Sequence, residues 1–548
     1  MKKTDGHKKA AIEEIVRLLL KEQNPTKQKL HAIKIALSKK YGIAPLKNTE
    51  ILPALPPNSK KLRALLKLRP MRTISGVTPV AVMSPPASCP HGVCLYCTRG
   101  ENAAQSYTGF EPASLRAKQN SFDPYSQVEA RLRQYHEMGH VTDKCELILM
   151  GGTFIAQKPE TVKKFVKRCY DAFNGKLSKT LEASKKLNEL SKNRVIGMTF
   201  ETRPDYARQK HIDLMHSCGA TRVELGVQAL SDRVYGIVNR GHTIDDVVEA
   251  TRICKDNALK VCYHIMPGLF STPKEDIGYF KTIFTDSRFQ PDMLKIYPTL
   301  VLKGTGLYEL WKKGKYIPYD TETAAEVLAE ATKYIPEYVR VMRIQRDIPA
   351  NLIEAGVKKG NLREIVDAKL KTKGLRCRCI RCREIGLKGK KINFKNVILK
   401  KIEYNASEGK EIFLQFIEPK EDILIGFARL RFPGNGKNCR KEITPKTALI
   451  RELHVYGSEM GITENWKLIS GSSPIDFETR GSKLKTGNRV TAQHKGFGKR
   501  LLEAAERIAG KAGMKKLTVI SGVGAREYYR KLGYADDGVY VSKKIGFF

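Results

Sequence analysis

Residues 89–97 read Cys-Pro-His-Gly-Val-Cys-Leu-Tyr-Cys, a C-x4-C-x2-C run just after a strand-like stretch, Val80–Met83. Three thiols this close in the chain can converge on one metal ion or cluster. The run opens a long alternation. Short apolar stretches with strand character lie at Cys145–Met150, Val195–Phe200, Arg222–Val227, Lys260–Met266 and Met293–Tyr297. Helical apolar patterns lie between them, such as Pro159–Ala172 and Ile244–Asn257. Repeated strand–helix alternation predicts a parallel sheet. About five or six units are too few for an eightfold barrel, so the expected shape is a partial (β/α) barrel.

The chain has 548 residues, which at roughly 150 residues per domain suggests three to four domains. Lys and Arg number 98 against 57 Asp and Glu, a net charge of +41. Such an excess points to a polyanion, either nucleic acid or an anionic membrane. No run of about 18 apolar residues exists, so no membrane-spanning helix is expected. The opening MKKTDGHKKA lacks the apolar stretch of a signal peptide. The expected location is the cytoplasm. Twelve cysteines there argue for metal or redox chemistry over disulfides. Six of them, Cys145, Cys169, Cys218, Cys254, Cys262 and Cys439, are scattered and read as small buried residues.

Residues 1–72 hold 18 Lys and Arg against 5 Asp and Glu. This density marks a basic, helical docking extension. Ile12, Ile15, Val16, Leu19 and Leu20 follow a helical spacing, and 27–40 reads as a second basic helix. Pro45, Pro53, Pro56 and Pro57 suggest an extended connector. A further basic run goes from Lys60 through Arg69 to Arg72. The barrel is expected over 73–350, a basic linker over 351–392 and a separate domain over 393–548. Within the linker, residues 371–391 carry nine basic residues and one acidic, the composition of a hinge. The Lys-rich stretch near 174–194 reads as an exposed insertion.

Three cysteines can hold three irons of a 4Fe-4S cluster and leave the fourth iron open. The Cys89, Cys94 and Cys97 spacing resembles the radical S-adenosylmethionine superfamily, with one residue more in the first gap than the usual three. Met150-Gly151-Gly152-Thr153 sits where that superfamily has a glycine motif at a strand end. There the lack of a Cβ lets the backbone approach the cofactor's amino group. The alternative for these cysteines is a zinc site completed by His91. Cys377-Arg-Cys379-Ile-Arg-Cys382 forms a second cluster in the linker. It reads either as a structural zinc site or as free thiols in a basic loop. Cys439 or a histidine is a candidate fourth ligand.

Gln493-His494-Lys495-Gly496-Phe497-Gly498-Lys499 precedes a helical pattern, Arg500–Ala509. Backbone amides at a helix N-terminus, freed by glycines, cradle phosphates. The Q-x-x-G-x-G pattern resembles the pyrophosphate loop of the GNAT acetyltransferases, which bind acetyl-CoA. Leu449–Val455 precedes it as a strand that includes Glu452-Leu453-His454-Val455, and Leu517–Ile520 follows. Glu527-Tyr528-Tyr529-Arg530 then resembles the fold's last helix, where a tyrosine lies near the coenzyme sulfur. The bland reading of Tyr528 and Tyr529 is helix packing.

The pairing of these two parts resembles one family, the catalytic third subunit of Elongator in an archaeal or bacterial-type stand-alone form. The likeness includes Gln105–Pro112, His140–Lys144, Glu201–Asp205, Arg222–Gln228, Arg343–Pro349, Arg451–Gly457 and Ile520–Gly524. It implies installation of a carboxymethyl group on carbon 5 of the tRNA wobble uridine, with acetyl-CoA as the two-carbon donor. Simple acyl transfer to carbon 5 gives a ketone, so a 5′-deoxyadenosyl radical route fits the acid product better. It implies a cluster on Cys89, Cys94 and Cys97, with S-adenosylmethionine near Gly151 and Gly152. It implies acetyl-CoA contacts from Lys144, Glu452 to Val455, Gly496 to Lys499 and Tyr529. Catalytic roles fall to Tyr529, Tyr528 and Lys144, although a lysine at a strand start is otherwise simply exposed. The expected partner is tRNA, held by the basic N-terminus and linker. The oligomeric state is left open, with a homodimer as one option, and no obligatory accessory subunit is assumed. Two rival functions are a protein lysine acetyltransferase and a non-enzymatic tRNA-binding scaffold. A charge of +41 repels a lysine-rich substrate, and the scaffold has no use for a coenzyme loop.

Overall fold

The strand at Arg222–Gln228 is buried at every residue but the last. That is the mark of a strand covered on both faces, which a parallel sheet requires. It lies mid-sheet in a computed structural model that describes residues 2–56, 58–68, 73–390, 392–434, 440–457, 493 and 495–546. Arg69, Arg72, Cys439 and His494 lie outside the described residues, as does Pro57.

The first sheet contains β1 (Thr78–Met83), β2 (Lys144–Met150), β3 (Arg194–Thr202), β4 (Arg222–Gln228), β5 (Lys260–Ile265) and β6 (Met293–Ile296). Beyond the short β7 (Val301–Leu302), β8 (Arg340–Ile344) completes it. The order is β1-β2-β3-β4-β5-β6-β8, and every pairing is parallel. This is the expected partial barrel with one strand more. Sequence reading missed β8 because its outer residues are Arg340 and Arg343, which break the apolar run. β7 pairs with β9 (Ile353–Ala355) as a separate ladder. The helices start at built-in caps. Thr243 and Thr272 form capping boxes with Asp246 and Glu275, which satisfy free amides at each N-terminus.

The second sheet has β10 (Ile398–Ala406), β11 (Gly409–Glu418), β12 (Ile423–Phe432), β13 (Thr447–Val455), β14 (Lys516–Val519), β15 (Ala535–Asp537) and β16 (Tyr540–Lys544). Its order is β10-β11-β12-β13-β14-β16-β15. Only β13 and β14 pair in parallel, and only over Thr447–Ile450 against Lys516–Val519. The rest of β13 runs on without β14. A register shift against β12, from Arg429–Glu452 to Leu430–Ile450, leaves Arg451 as an extra residue, a bulge that increases twist.

Three expectations change. The proline-rich stretch is not an extended connector. It holds a helical turn, Asn48–Ile51, and a tighter one, Leu52–Ala54. Leu46, Ile51, Leu52 and Leu55 there are buried against helices Lys2–Lys21 and Lys27–Tyr41. The linker is not a free hinge. Cys379, Ile380 and Ile385 are buried, and Ile380 donates its amide to Val339. Its Arg383 meets Asp422 at 2.8 Å, and its Glu384 meets Arg340 at 2.6 Å. The Lys-rich insertion holds a helix, Leu181–Asn188, whose Leu181, Ser184 and Asn188 face inward. Asn188 accepts the amide of Val195 and so anchors the start of β3.

The barrel and the second sheet meet across a buried field of charges. Arg451 forks onto both oxygens of Asp292, at 2.6 and 2.7 Å, and reaches Glu411 at 2.9 Å. Arg431 joins Asp256 at 2.6 Å and Glu411 at 3.0 Å. Lys255, fully buried, lies 3.8 Å from Asp292 and 3.5 Å from Glu411. Lys255, Asp256 and Asp292 come from the barrel, and the other three from the second sheet. Burial works against these carboxyls, but the cations hold Asp292 and Glu411 below their ordinary values. Ion pairs this deep are stable only when each member is paired.

Candidate active site

The cysteine loop sits at the C-terminal edge of the barrel, above a cavity of about 1120 Å³ that includes its open mouth. Cys89, Cys94 and Cys97 all line it. Gln105 pins the loop, accepting the amide of Cys89 at 2.7 Å and donating to Gly92 at 2.9 Å. Thr153 lies 3.5 Å from the Cys89 sulfur. Gly152 has φ +64°, and a Cβ there would stand 3.6 Å from that sulfur, inside the cradle. Burial, then the neighbouring Cys94 and Cys89, pushes the Cys97 thiol up to about 11.

The two cysteine clusters differ in scale. The sulfurs of Cys377, Cys379 and Cys382 all lie within 4.8 Å of one another, and Cys379 and Cys382 are 3.7 Å apart. Thiolates sharing one tetrahedral zinc, at 2.3 Å each, stand about 3.8 Å apart. Among the described residues, the sulfurs of Cys89, Cys94 and Cys97 form no such tight group. A wider triad around a cavity suits thiolates on three separate irons. His91 stays in the loop, its Nε2 3.2 Å from the Cys94 sulfur.

Charged groups also line the barrel wall. Lys295 on β6 pairs with Glu224 on β4, and with Glu201 on β3 at 3.2 Å. Glu224 also meets His264 of β5 at 2.8 Å. Tyr107 donates to Glu201 at 3.0 Å. Burial would raise the Glu224 carboxyl, yet Lys295, His264 and Arg222 hold it well below the usual range. Glu201, Glu224, His264, Arg203 and Arg346 line the cavity but were given no role from sequence. For Glu201, Glu224 and His264 the available signal was a charged or titratable residue within an otherwise apolar strand, whereas Arg203 and Arg346 follow the ends of β3 and β8.

The coenzyme loop faces the other edge of the barrel. Helix Phe497–Lys511 begins at Gly496, with φ 78° and no side-chain cap. Its first amides are thus open to an anion. Lys499 lies at the surface, 3.8 Å from Glu503. The Val455 carbonyl accepts from Gln493 at 3.3 Å, and Gln493 in turn accepts from Lys144 at 2.9 Å. Burial lowers the Lys144 amine. His454 donates to the Ser75 carbonyl at 3.1 Å and stacks on Tyr456. Glu452 is held by Arg429 at 2.9 Å, and Leu453 is half-buried beside Ala428. The side chains of Glu452 and His454 are thus engaged, so a ligand along β13 meets mainly backbone.

Tyr528 is exposed, and its hydroxyl would lie 2.7 Å from a Cβ on Gly498. Its hydroxyl end packs at Gly498 while the rest of the ring stays open, and desolvation there raises that hydroxyl to about 12. Tyr529 is buried edge-on against Tyr528 and Tyr534.

Comparison with known proteins places these parts in families. The radical SAM superfamily matches residues 83–281, and the radical SAM C-terminal domain matches 291–372. The ELP3 N-terminal domain matches 8–74, and the acetyltransferase (GNAT) family matches 489–534. The chain is 46% identical to a tRNA uridine(34) acetyltransferase of Methanocaldococcus infernus, over 97% of this chain and 98% of that protein. It is 42% identical to Elongator complex protein 3 of Saccharomyces cerevisiae, over 93% and 90%. Among solved structures, Elp3 of M. infernus lacking residues 1–46 aligns with a TM-score of 0.74 at 46% identity. That match covers 86% of this chain and all of the other. Among the described residues, no helix is long and apolar enough to cross a membrane.

Proposed function

The chain belongs to the family of tRNA uridine(34) acetyltransferases and Elongator complex protein 3, and from that premise we propose that it carboxymethylates carbon 5 of the tRNA wobble uridine. Acetyl-CoA would be the carbon donor, and the chain would work in the cytoplasm without accessory subunits. When bound, the cluster and S-adenosylmethionine would supply a 5′-deoxyadenosyl radical that takes hydrogen from the acetyl methyl, so that carbon rather than carbonyl joins the base.

This chain's residues would do the rest. Cys89, Cys94 and Cys97 hold the cluster. Gly151 and Gly152 let the backbone close on the cofactor. The amides from Gly496 to Lys499 hold the pyrophosphate, and Lys499 adds a cation. The free part of β13, Glu452 to Val455, offers amides to the thioester. Tyr529, with Tyr528 beside it, is the acid for the departing coenzyme sulfur. Cys377, Cys379 and Cys382 hold a structural zinc. The cations of the N-terminal helices and the linker take tRNA phosphates.

The single observation behind this reading is the Lys144–Gln493–Val455 chain of hydrogen bonds. It ties the radical barrel to the coenzyme loop, an arrangement that a pure protein acetyltransferase does not need. The test is anaerobic. The iron-reconstituted protein is given S-adenosylmethionine, dithionite, acetyl-CoA and an anticodon stem-loop, and the digested nucleosides are weighed by mass spectrometry. We expect 5-carboxymethyluridine that vanishes when S-adenosylmethionine is omitted. An intact cluster and bound coenzyme without that product would refute the reading.

A further inference from the structure

Phe110 is the one exposed phenylalanine among the described residues, 55% open to solvent. A single exposed apolar side chain carries no message by itself. Its setting does. Residues 98–111 form a loop that is fastened at several points. Arg346 donates to the Ser106 carbonyl at 2.6 Å, and Tyr107 reaches Glu201 inside the cavity. The buried Glu111 carboxylate accepts the amides of Thr108 and Gly109, at 2.8 and 3.1 Å. Phe110 donates its own amide to the Thr108 hydroxyl at 3.2 Å. The backbone around Phe110 is therefore satisfied locally, and the ring is held out into water.

The ring also has a cation. Lys118 places its amine 5.7 Å from the ring centre. Gly109, with φ +88°, makes room for it, since a Cβ there would come within 2.4 Å of that amine. The next residues, Glu111 to Ala113, form cavity wall, as do Arg343 and Arg346. So an exposed aromatic face with Lys118 beside it adjoins the wall of the cavity, to which Arg343 and Arg346 add positive charge.

We propose that Phe110 is a stacking platform for the nucleotide next to the target base. The inference rests on the single-stranded RNA substrate proposed above. A base whose ring carbon must reach the floor of the cavity has to leave its stack, and its neighbour then loses a partner. An exposed aromatic ring adjoining the cavity wall replaces that partner, and nearby cations take the backbone phosphates. Stacking tolerates any base, so the platform serves anticodons of differing sequence.

The test uses the full chain and a synthetic anticodon stem-loop carrying 2-aminopurine beside the wobble uridine. Binding to the wild-type protein should quench the probe through stacking on Phe110. Phe110→Ala should weaken binding about tenfold and abolish the quenching. Phe110→Trp should restore both, and Phe110→Leu should restore neither. Acetyl-CoA affinity should be the same in all four proteins, which shows that they are folded. A Phe110→Ala protein that keeps both affinity and quenching overturns this inference alone. A wild-type protein that does not bind the stem-loop overturns the proposed function, and this inference with it.

Discussion

Lys144 and Gln493 are 349 positions apart, yet the amine of one donates to the amide oxygen of the other at 2.9 Å. The lysine stands at the start of β2, in the barrel. The glutamine stands at the coenzyme loop and also holds the end of β13. Burial lowers the Lys144 amine, so this lysine has given up water for a position between two domains. Lys144→Ala should weaken acetyl-CoA binding about tenfold by titration calorimetry, through loss of one buried polar contact. Equal affinity in the variant would remove Lys144 from the coenzyme site.

Lys499 tests the other side of the coenzyme. Among the described residues, its exposed side chain meets only Glu503, at 3.8 Å. A cation at the first turn of a helix that binds pyrophosphate adds a small, salt-sensitive attraction. Lys499→Ala should raise the Kd for acetyl-CoA severalfold at low salt, and the gap should close as salt rises. A gap that ignores salt would mean that the substitution acts through helix packing.

Tyr528 and Tyr529 have to be separated. Tyr529→Ala empties a core position and should cost about 3 kcal/mol of stability. Tyr529→Phe keeps the ring and should keep the melting temperature and acetyl-CoA affinity while the acetyl-CoA hydrolysis that the proposed function expects on addition of tRNA falls. Tyr528→Phe, next to Gly498, should act mainly on affinity. If Tyr528→Phe alone stops hydrolysis, the roles are exchanged.

The linker thiols predict a metal. Hydrogen bonds from Cys377 and Cys382 favour deprotonation at Cys379 against its burial, whereas hydrogen bonding and burial oppose it at Cys377, and at Cys382 the bond to Cys379 together with burial outweighs the bond to Cys377. A zinc ion would let all three ionise. Protein purified without added iron should carry one zinc per chain by elemental analysis. Cys379→Ser should lose that zinc and several degrees of melting temperature. Zinc-free protein of unchanged stability would leave the thiols unligated.

Lys255 predicts an alkaline signature. Burial pulls its amine from 10.5 down to about 8, against the pull of Asp292 and Glu411. Between about pH 8 and 10.5 the unfolded chain therefore holds more proton at this site than the folded chain. Stability attributable to Lys255 rises with pH across that window, by up to about 3 kcal/mol. In denaturant unfolding across that window, wild type should gain stability relative to Lys255→Met as the pH rises. A constant difference would refute the assignment.

Much of this architecture was legible in the sequence because each part has a strong local cause. Apolar strands such as Cys145–Met150 and Val195–Phe200 appear within one or two residues of their predicted ends. The coenzyme helix begins at Phe497, three residues before the predicted start, because Gly496 caps it through its backbone. What stayed hidden depends on distant partners. Arg340 reads as a surface residue until Glu384 of the linker covers it. Nothing in the sequence near Arg429, Arg431 and Arg451 points to the carboxylates that cover them, yet each is fully buried. The proline-rich segment looked extended because its helical turns take their support from Leu46, Ile51 and Leu55 packing on other helices.

The charges between Arg451, Asp292, Arg431, Asp256 and Glu411 also bear on how such a chain can evolve. Neither half is a portable module. Grafting the acetyltransferase half onto another barrel would leave the guanidinium groups of Arg451 and Arg431 without their barrel carboxylates, and removing it would strand two carboxylates and an amine on the barrel. The two halves can change at this seam only by compensating steps taken together, so a gene that once joined them has little route to part them again.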